Sequence, residues 1–297
     1  MRSPNSGHRR EFEAIGTKWQ IDTDRELSAA RWIAIDDRIE LFDRTYSRFR
    51  RDSLVSKLAT GAGCFDFPDD CLPLIHCYRR LYDITGGAVT PLIGGALEDL
   101  GYDADYRLTP ARTARSTPIW DEVMTWQGNA VTTSAPVVLD VGAAGKGYLM
   151  DIIGGLLGAF GVTNFVIDGS GDLLHRGPGT LRVGLEHPHD ASKVIGVLPV
   201  RNAALAASAV NRRSWGAANR ILHHIVDPRT GEPVRQIIAS WVVADSAMVA
   251  DGLATALFFA DAGCLEVLEA EFGASWLRVS ASGSAQWSPC FEKVLFR

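Results

Sequence analysis

The 297-residue chain has few cysteines, no excess of basic residues and no long apolar run. Its five cysteines are odd in number and lack Cys-x-x-Cys spacing, so they indicate neither a disulfide framework nor a zinc site. The 30 Lys and Arg residues are fewer than the 35 Asp and Glu residues, so we expect no nucleic-acid partner. The longest apolar stretch, residues 241–260, is broken by Asp245 and Asp251 and predicts no membrane span. These absences favour a soluble protein of a reducing compartment, which we expect to be cytoplasmic.

The composition is otherwise that of an ordinary globular protein, with 46% hydrophobic residues and no repeat, low-complexity tract or linker. Residues 1–11 are polar and basic and lack the apolar region of a secretory signal, so we predict a disordered tail there. We treat residues 12–297 as one compound domain.

Hydrophobic spacing predicts an α+β fold with mixed, largely antiparallel sheets packed by helices. A strand over residues 12–22 precedes a helix whose apolar residues Trp32, Ile35, Ile39 and Phe42 recur at helical spacing. Further helices are predicted after a cap at residue 52 or 53, over residues 71–82 and over residues 147–160. Further strands are predicted over residues 136–141, 164–167, 181–185, 194–200, 221–226 and 237–244.

A glycine-rich turn, LDVGAAGKGY, joins a predicted strand to a helix at residues 139–148. Glycines let the backbone approach a ligand closely, a helix N-terminus favours an anion, and Lys146 adds a positive charge. These features favour phosphate as the ligand. The alternative is an ordinary glycine turn with a solvated lysine, since neither P-loop nor GxGxxG spacing is present.

Asp251 and Thr255 are four residues apart in an apolar helical sequence, so both oxygens lie on one helix face. A carboxylate in apolar surroundings needs a partner, and Mg²⁺ takes hard oxygen ligands together with water and substrate phosphate. The alternative is an exposed Asp and a Thr bonded to its own helix.

Two more motifs carry polar groups next to turns. In HHIVDPRTGEP, residues 223–233, turn chemistry explains Asp, Pro and Gly but not the histidines. His224 could act as a base or grip a ligand, or the pair could lie on a strand surface. In IDGSGD, a predicted strand ends in a glycine turn followed by Asp172, which is either a close approach to a ligand or a plain turn.

Taken in order, AIGTKW, RDSLVSKL, GGAVTPLIG, LDVGAAGKGYLMD, IDGSGDL, HHIVDPRTGEPV and ADGLATALF resemble the FAD:protein FMN transferases, the ApbE family. The resemblance covers residues 12–296 and is most specific in the second half. It implies an ApbE-like fold and an enzyme that uses Mg²⁺ to split FAD. The FMN half would be attached to a Thr or Ser hydroxyl of a target flavoprotein, with release of AMP.

The resemblance also implies the site residues. Mg²⁺ would be held by the side chains of Asp251 and Thr255, with the backbone carbonyl of Ala143 as a third ligand. His224 is the candidate general base, or a donor to the phosphoryl oxygens. The implied FAD contacts are Ile15, Phe49, Ala88, Val89, Thr90, Asp140, Lys146, Asp172, Ser208 and Val226.

The chain departs from the family pattern in several motifs. Thr90 replaces the carboxylate of the family's GAFDP, and Ala207-Ser208-Ala209 replaces its TSG. Two other functions therefore stay open, an FAD pyrophosphatase that gives FMN and AMP, and a non-catalytic FAD-binding protein.

Overall fold

The computed structural model describes residues 7–111, 115–217 and 220–296. Its helices are α1 (Ala29–Tyr46), α2 (Leu54–Leu58), α3 (Leu72–Ile84), α4 (Gly94–Asp99), α5 (Trp120–Val123), α6 (Gly145–Ala159), α7 (Ala247–Ala256) and α8 (Ala262–Phe272). Its strands are β1 (His8–Ala14), β2 (Thr17–Thr23), β3 (Gly63–Asp66), β4 (Met124–Gln127), β5 (Ala130–Thr133), β6 (Phe165–Asp168), β7 (Leu173–Arg176), β8 (Leu181–His187), β9 (Asp190–Val200), β10 (Ala204–Ala209), β11 (Ser214–Ala217), β12 (Arg220–His223), β13 (Val226–Asp227), β14 (Glu232–Pro233), β15 (Ile237–Ala244), β16 (Ser275–Ser280) and β17 (Ala285–Trp287).

The described residues divide into two compact units. The first unit comprises those within 1–39, 146–209 and 236–297, and the second those within 40–145 and 210–235. The division falls inside the region 12–297 that we treat as one compound domain, and that treatment stays a prediction.

The first unit is built on an eight-stranded sheet of order β1-β2-β6-β7-β10-β15-β16-β17, in which every neighbouring pair is antiparallel. Helix α7 packs on β10 and β15, and buried Ser240 of β15 donates to Ala254 O of α7 at 2.6 Å. An apolar core that includes Trp241, Leu277 and Phe291 lies against the β8-β9 hairpin. This arrangement confirms the α+β class with largely antiparallel sheets.

The second unit contains a three-stranded sheet of order β3-β5-β4, the hairpins β11-β12 and β13-β14, and helices α2 to α5. Of the two predicted cap residues, 52 and 53, it is Ser53 that caps α2, by accepting a hydrogen bond from Ser56 N at 3.1 Å. The apolar core of the second unit includes Leu97, Tyr102 and Trp215. No helix in the described residues of either unit is long and apolar enough to cross a membrane.

The structure differs from the prediction at the start of the chain. Residues 12–22 are not one strand, because the chain reverses at Ile15 and Gly16, which have φ of 44° and 72° and join β1 to β2. Strand β1 begins at His8, so residues 8–11, which we assigned to the tail, belong to this hairpin. The first part of that predicted tail, residues 1–6, lies outside the described residues.

Two other predicted strands also differ. Residues 136–141 form no strand. Their backbone bonds instead to the last residue of α2, by Val137 N donating to Leu58 O, and to a 3-10 turn, by Asp140 N donating to Pro91 O. The predicted strand over residues 221–226 is interrupted at His224, where β12 ends and β13 has not begun. A short apolar run does not reveal which of these arrangements its backbone will adopt.

Candidate active site

Helix α7 carries the predicted metal ligands, and its first turn is fixed by side-chain caps. Ser246 is the N-cap, and its Oγ accepts from Val249 N at 3.2 Å. Asp151 of α6 accepts three more bonds at this end, from Ser246 Oγ at 2.6 Å and from Ala247 N and Met248 N at 2.9 Å. These bonds satisfy donors that a helix start leaves unpaired, so Asp151 helps to fix where α7 begins. Asp151 was not predicted from the sequence, where its signal was a single carboxylate within apolar α6.

Asp251 is buried in α7, with 5% of its surface exposed. Its Oδ2 accepts from Gly147 N at 2.9 Å, and Lys146 Nζ lies 3.9 Å from Oδ1. Burial raises the pKa of the Asp251 carboxyl, and the charge of Lys146 and the Gly147 N–H offset only part of that effect. A bound cation would therefore stabilise the ionised form of this side chain.

Gly147 is required where α6 meets α7. A Cβ added to it would lie 2.1 Å from the backbone oxygen of Ala247, closer than any side-chain atom can come. The first turns of the two helices consequently meet backbone to backbone, and the Gly147 N–H reaches the Asp251 carboxylate. Close packing of the two helices therefore explains why the predicted turn has a glycine at position 147.

Thr255 is half-buried and lies four residues after Asp251, on the same face of α7. The pair offers one carboxylate and one hydroxyl, both oxygen donors of the kind that Mg²⁺ binds. The described residues contain no group of three His, Cys, Asp or Glu side chains that could hold a metal. A cation here would therefore take its other ligands from water, backbone carbonyls or substrate. Ala143 belongs to the second unit, and its carbonyl stays a predicted ligand.

Lys146 lies between two carboxylates of the first unit. Its Nζ donates to Asp172 Oδ2, while Asp172 Oδ1 accepts from Ala207 N at 2.9 Å. The Asp172 side chain is 4% exposed and that of Asp251 is 6% exposed. With both carboxylates ionised, the group Lys146, Asp172 and Asp251 carries a net charge of about −1, which favours a cation. The structure thus brings together three of the predicted site residues.

Two more predicted FAD contacts lie in the same unit. Ser208 of β10 is half-buried and pairs with Ser240 of β15. Ile15 occupies the β1-β2 turn at a φ of 44°, a strained conformation for a β-branched residue that folded proteins keep mainly at functional sites. Both residues stay predictions as ligand contacts.

In the second unit, Asp140 is held by Arg48, which was not predicted as a site residue. Its Oδ2 accepts from Arg48 Nε at 2.5 Å, and its Oδ1 accepts from Gly142 N at 2.7 Å. Burial acts to raise the pKa of Asp140, but the charge and hydrogen bond of Arg48 and the Gly142 N–H outweigh it and hold the pKa below its usual value. Asp140 is therefore an ionised, anchored carboxylate.

Aromatic rings surround this ion pair. Phe49 and Tyr106 stack with ring centres 5.3 Å apart, and Tyr102 stacks on Trp215 at 5.6 Å. The Arg48 guanidinium lies 4.3 Å from the centre of the Phe49 ring. Of these residues, only Phe49 was predicted as a site residue. The others come from separate segments, so their contacts could not be read from local spacing.

His224 lies between β12 and β13, and its Nδ1 is 3.4 Å from Arg213 O. Burial, followed by the positive charge of Arg213, lowers the pKa of His224 to about 4, so the ring is neutral at pH 7. As a donor to this carbonyl, Nδ1 would carry the ring proton and leave Nε2 as an acceptor. Arg213 also donates to the Tyr102 hydroxyl. Val226 is buried in the same apolar core as Tyr102.

Residues Ala88, Val89 and Thr90 follow α3 and are all buried. Val89 N donates to Thr85 Oγ1 at 3.0 Å, and Thr90 Oγ1 accepts from Leu92 N at 3.2 Å. Thr90 thus caps the short 3-10 turn at residues 91–93. The hydroxyl that replaces the family's carboxylate has a structural role in this chain.

The predicted site residues therefore fall into two groups. The first unit holds Ile15, Lys146, Asp172, Ser208, Asp251 and Thr255. The second unit holds Phe49, Ala88, Val89, Thr90, Asp140, Ala143, His224 and Val226. Direct contacts join Lys146 to Asp172 in the first unit, whereas Phe49 and Asp140 are both in contact with Arg48 in the second.

Comparison with known proteins identifies the family of the chain. The model of the ApbE family matches residues 15–275, so the chain belongs to the ApbE family. An FAD:protein FMN transferase of Rhodobacter capsulatus is 29% identical over 253 residues, which are 80% of this chain and 47% of that protein. The chain thus spans about half the length of this relative. An FAD:protein FMN transferase of Vibrio cholerae is 27% identical over 237 residues, 75% of this chain and 71% of that protein.

Solved structures show the same fold. The ApbE protein of Thermotoga maritima has a TM-score of 0.84 at 22% identity, covering 98% of this chain and 99% of that one. The flavin transferase ApbE of Vibrio cholerae has a TM-score of 0.77 at 21% identity, with 97% and 99% coverage. The ApbE-like architecture expected from the sequence is confirmed.

Proposed function

We propose that this chain is a Mg²⁺-dependent FAD:protein FMN transferase. It would move FMN from FAD to a Thr or Ser hydroxyl of a target flavoprotein and release AMP. The observation that carries the proposal is the group of Lys146, Asp172 and Asp251, in which one ammonium faces two buried carboxylates and a cation is electrostatically favoured. Membership of the ApbE family and similarity to FAD:protein FMN transferases supply the reaction class.

The residues of α7 suit the proposed metal. Asp251 and Thr255 present hard oxygens on one helix face, and Mg²⁺ commonly completes its six ligands with water and phosphate. Once bound there, Mg²⁺ would supply charge neutralisation at the pyrophosphate of FAD. Lys146 adds a positive charge beside the same carboxylates, and it could turn from Asp172 toward an anionic substrate.

The proposed reaction breaks the phosphoanhydride bond of FAD and forms a phosphoester bond to the acceptor. The acceptor hydroxyl oxygen forms a bond to the phosphorus of the FMN half, and the bond from that phosphorus to the bridging oxygen breaks. The bridging oxygen leaves with AMP, and the hydroxyl proton passes to His224 Nε2. His224 is neutral at pH 7 and can accept this proton, although a pKa of about 4 makes it a weak base without substrate. A nearby pyrophosphate charge would raise that pKa.

The remaining predicted contacts complete the proposal. FAD would be bound by the residues named from the family motifs, including Phe49, Asp140 and Val226. Thr90 would not replace the family's carboxylate as a charged ligand, because its hydroxyl already caps a turn. The cytoplasmic location expected from the sequence stays a prediction.

The test is the release of AMP from FAD by the purified chain, with and without Mg²⁺ and a Thr-containing acceptor peptide. We expect release that requires both additions, and a loss of at least about 10²-fold for Asp251→Asn. The matched control Asp245→Asn changes an exposed carboxylate just before the same helix and should keep wild-type turnover. AMP release without peptide modification would favour the pyrophosphatase. FAD binding without AMP release would favour a non-catalytic binding protein, and either result would contradict the transferase.

A further inference from the structure

Arg48 is a buried cation, and most of its hydrogen-bond donors have no acceptor in the part of the chain that the structure describes. Its side chain is 3% exposed, and Nε donates to Asp140 Oδ2 at 2.5 Å. Nη1 and Nη2 are buried and have no hydrogen-bond partner among the described residues. Leaving buried donors unsatisfied costs free energy, and folded proteins rarely keep such groups without a use. Nη1 and Nη2 of Arg48 therefore lack an acceptor among the described residues, and a bound ligand could supply one.

The surroundings of Arg48 fix the orientation of its fork. The carbon at the centre of the guanidinium lies 4.3 Å from the centre of the Phe49 ring and 5.1 Å from that of Tyr102. Asp140, which anchors Nε, is itself held by Gly142 N at 2.7 Å. A planar fork fixed by rings and by one carboxylate is preorganised to bind an oxyanion with the nitrogen atoms that remain.

The net charge around Arg48 determines which kind of acceptor its Nη1 and Nη2 donors favour. Two arginines, Arg48 and Arg213, interact electrostatically with the single carboxylate of Asp140. His224, which lies next to Arg213 O, is neutral at pH 7 and adds no charge. The cluster of Arg48, Asp140, Arg213 and His224 therefore has a net charge of about +1, which favours an anion over a neutral carbonyl group.

We propose that Arg48 is a substrate-binding residue whose Nη1 and Nη2 donate to a phosphate oxygen of FAD. This inference rests on the proposed function, because the pyrophosphate of FAD supplies the oxyanion. It adds Arg48 to the contacts implied by the family motifs, and it gives Asp140 the role of anchoring the guanidinium. The guanidinium would contribute to the affinity for ligands that carry the phosphates, and it would not contribute to the affinity for a flavin that lacks them.

The experiment measures the affinity of wild-type and variant proteins for FAD, ADP and riboflavin by calorimetry. Arg48→Lys keeps a positive charge that can pair with Asp140 but lacks the fork, and Arg48→Met removes the charge as well. We expect both variants to bind FAD and ADP at least about tenfold more weakly. Riboflavin carries no phosphate, so its affinity should change by less than about twofold.

The matched control is Arg79→Met in the same unit. The Arg79 guanidinium also lies near two rings, 5.3 Å from Tyr82 and 5.8 Å from Trp120, but Asp83 and Asp121 pair with it. Its replacement should leave all three affinities unchanged. If Arg48→Met fails to fold, Arg48→Lys supplies the test.

Two results would overturn the assignment of Arg48 alone. Wild-type affinity for FAD in Arg48→Lys would show that the fork does not bind the substrate. An equal loss of affinity for riboflavin would show that Arg48 only maintains the shape of the site. A wild-type protein that binds neither FAD nor ADP would overturn the proposed function and the role of Arg48 together.

Discussion

Replacing Asp251 with asparagine should uncouple the stability of this protein from Mg²⁺. The side chain is 6% exposed, and its Oδ2 accepts from Gly147 N at 2.9 Å. An asparagine oxygen can keep that bond, while the cost of burying a charge disappears. Lys146 keeps Asp172 as its partner, so the substitution leaves no unpaired buried ammonium. Without metal, Asp251→Asn should therefore be at least as stable as the wild type.

With Mg²⁺ bound, the wild type should be more stable than Asp251→Asn. A ligand that binds only the folded state at 100 times its Kd adds about 2.7 kcal/mol of stability. For a chain of 297 residues the unfolding entropy is about 0.6 kcal/mol/K, so this gain raises Tm by about 4 °C. The Asn variant loses the charged ligand and should show little of this increase.

The assay is differential scanning calorimetry with EDTA and with increasing Mg²⁺, on wild type, Asp251→Asn and the control Asp245→Asn. Wild type and control should show the same metal-dependent rise in Tm. Two results would refute the reasoning, a rise of equal size in Asp251→Asn or no rise in wild type at millimolar Mg²⁺.

Gly147→Ala should destabilise the protein by about 2 kcal/mol, because its Cβ would lie 2.1 Å from Ala247 O. In the same helix, a Cβ at Gly155 would have no described atom within 4 Å, so Gly155→Ala should stabilise the protein by about 0.5–1 kcal/mol. Urea unfolding compares the two, and similar stabilities would contradict the close helix contact. His224→Ala should lower kcat by about 10²–10⁴ with a smaller effect on FAD affinity, measured by steady-state kinetics and calorimetry. A parallel loss of affinity would instead make His224 a ligand-binding residue. The pKa of His224 is about 4 in the folded state and about 6.5 in the unfolded state, so the unfolded state binds the proton first as pH decreases. The free energy of unfolding should therefore fall by up to about 3 kcal/mol between pH 6.5 and pH 4. His224→Gln should remove this part of the pH dependence, and an unchanged profile would show that His224 does not titrate this way.

Local patterns predicted the elements whose stability is local. Strand β15 has the predicted bounds, residues 237–244, and α2 begins after Ser53, one of the two predicted cap residues. Strand β1 was missed in part because residues 8–11 are charged, which is typical of a strand at a sheet edge. Residues 136–141 have a strand-like composition, but their backbone hydrogen bonds go to the end of α2 and to a 3-10 turn, both distant in sequence.

In the candidate site too, residues of one motif could be predicted from the sequence, whereas contacts between distant segments could not. Asp140 and Lys146 could be selected because they lie in one motif, between an apolar run and a helix. Arg48 could not, because it is 92 residues from Asp140 and only the fold brings them together. Nor does the sequence reveal that the Thr90 hydroxyl is used as a cap, since its partner is a backbone N–H.

The most direct test of the account is the intact mass of an acceptor peptide after incubation with this protein, FAD and Mg²⁺. A peptide with a Thr at the target position should gain the mass of one FMN phosphoester. The same peptide with Val at that position should gain nothing. An unmodified Thr peptide, with free FMN and AMP in the solution, would contradict the claim that the protein is a transferase.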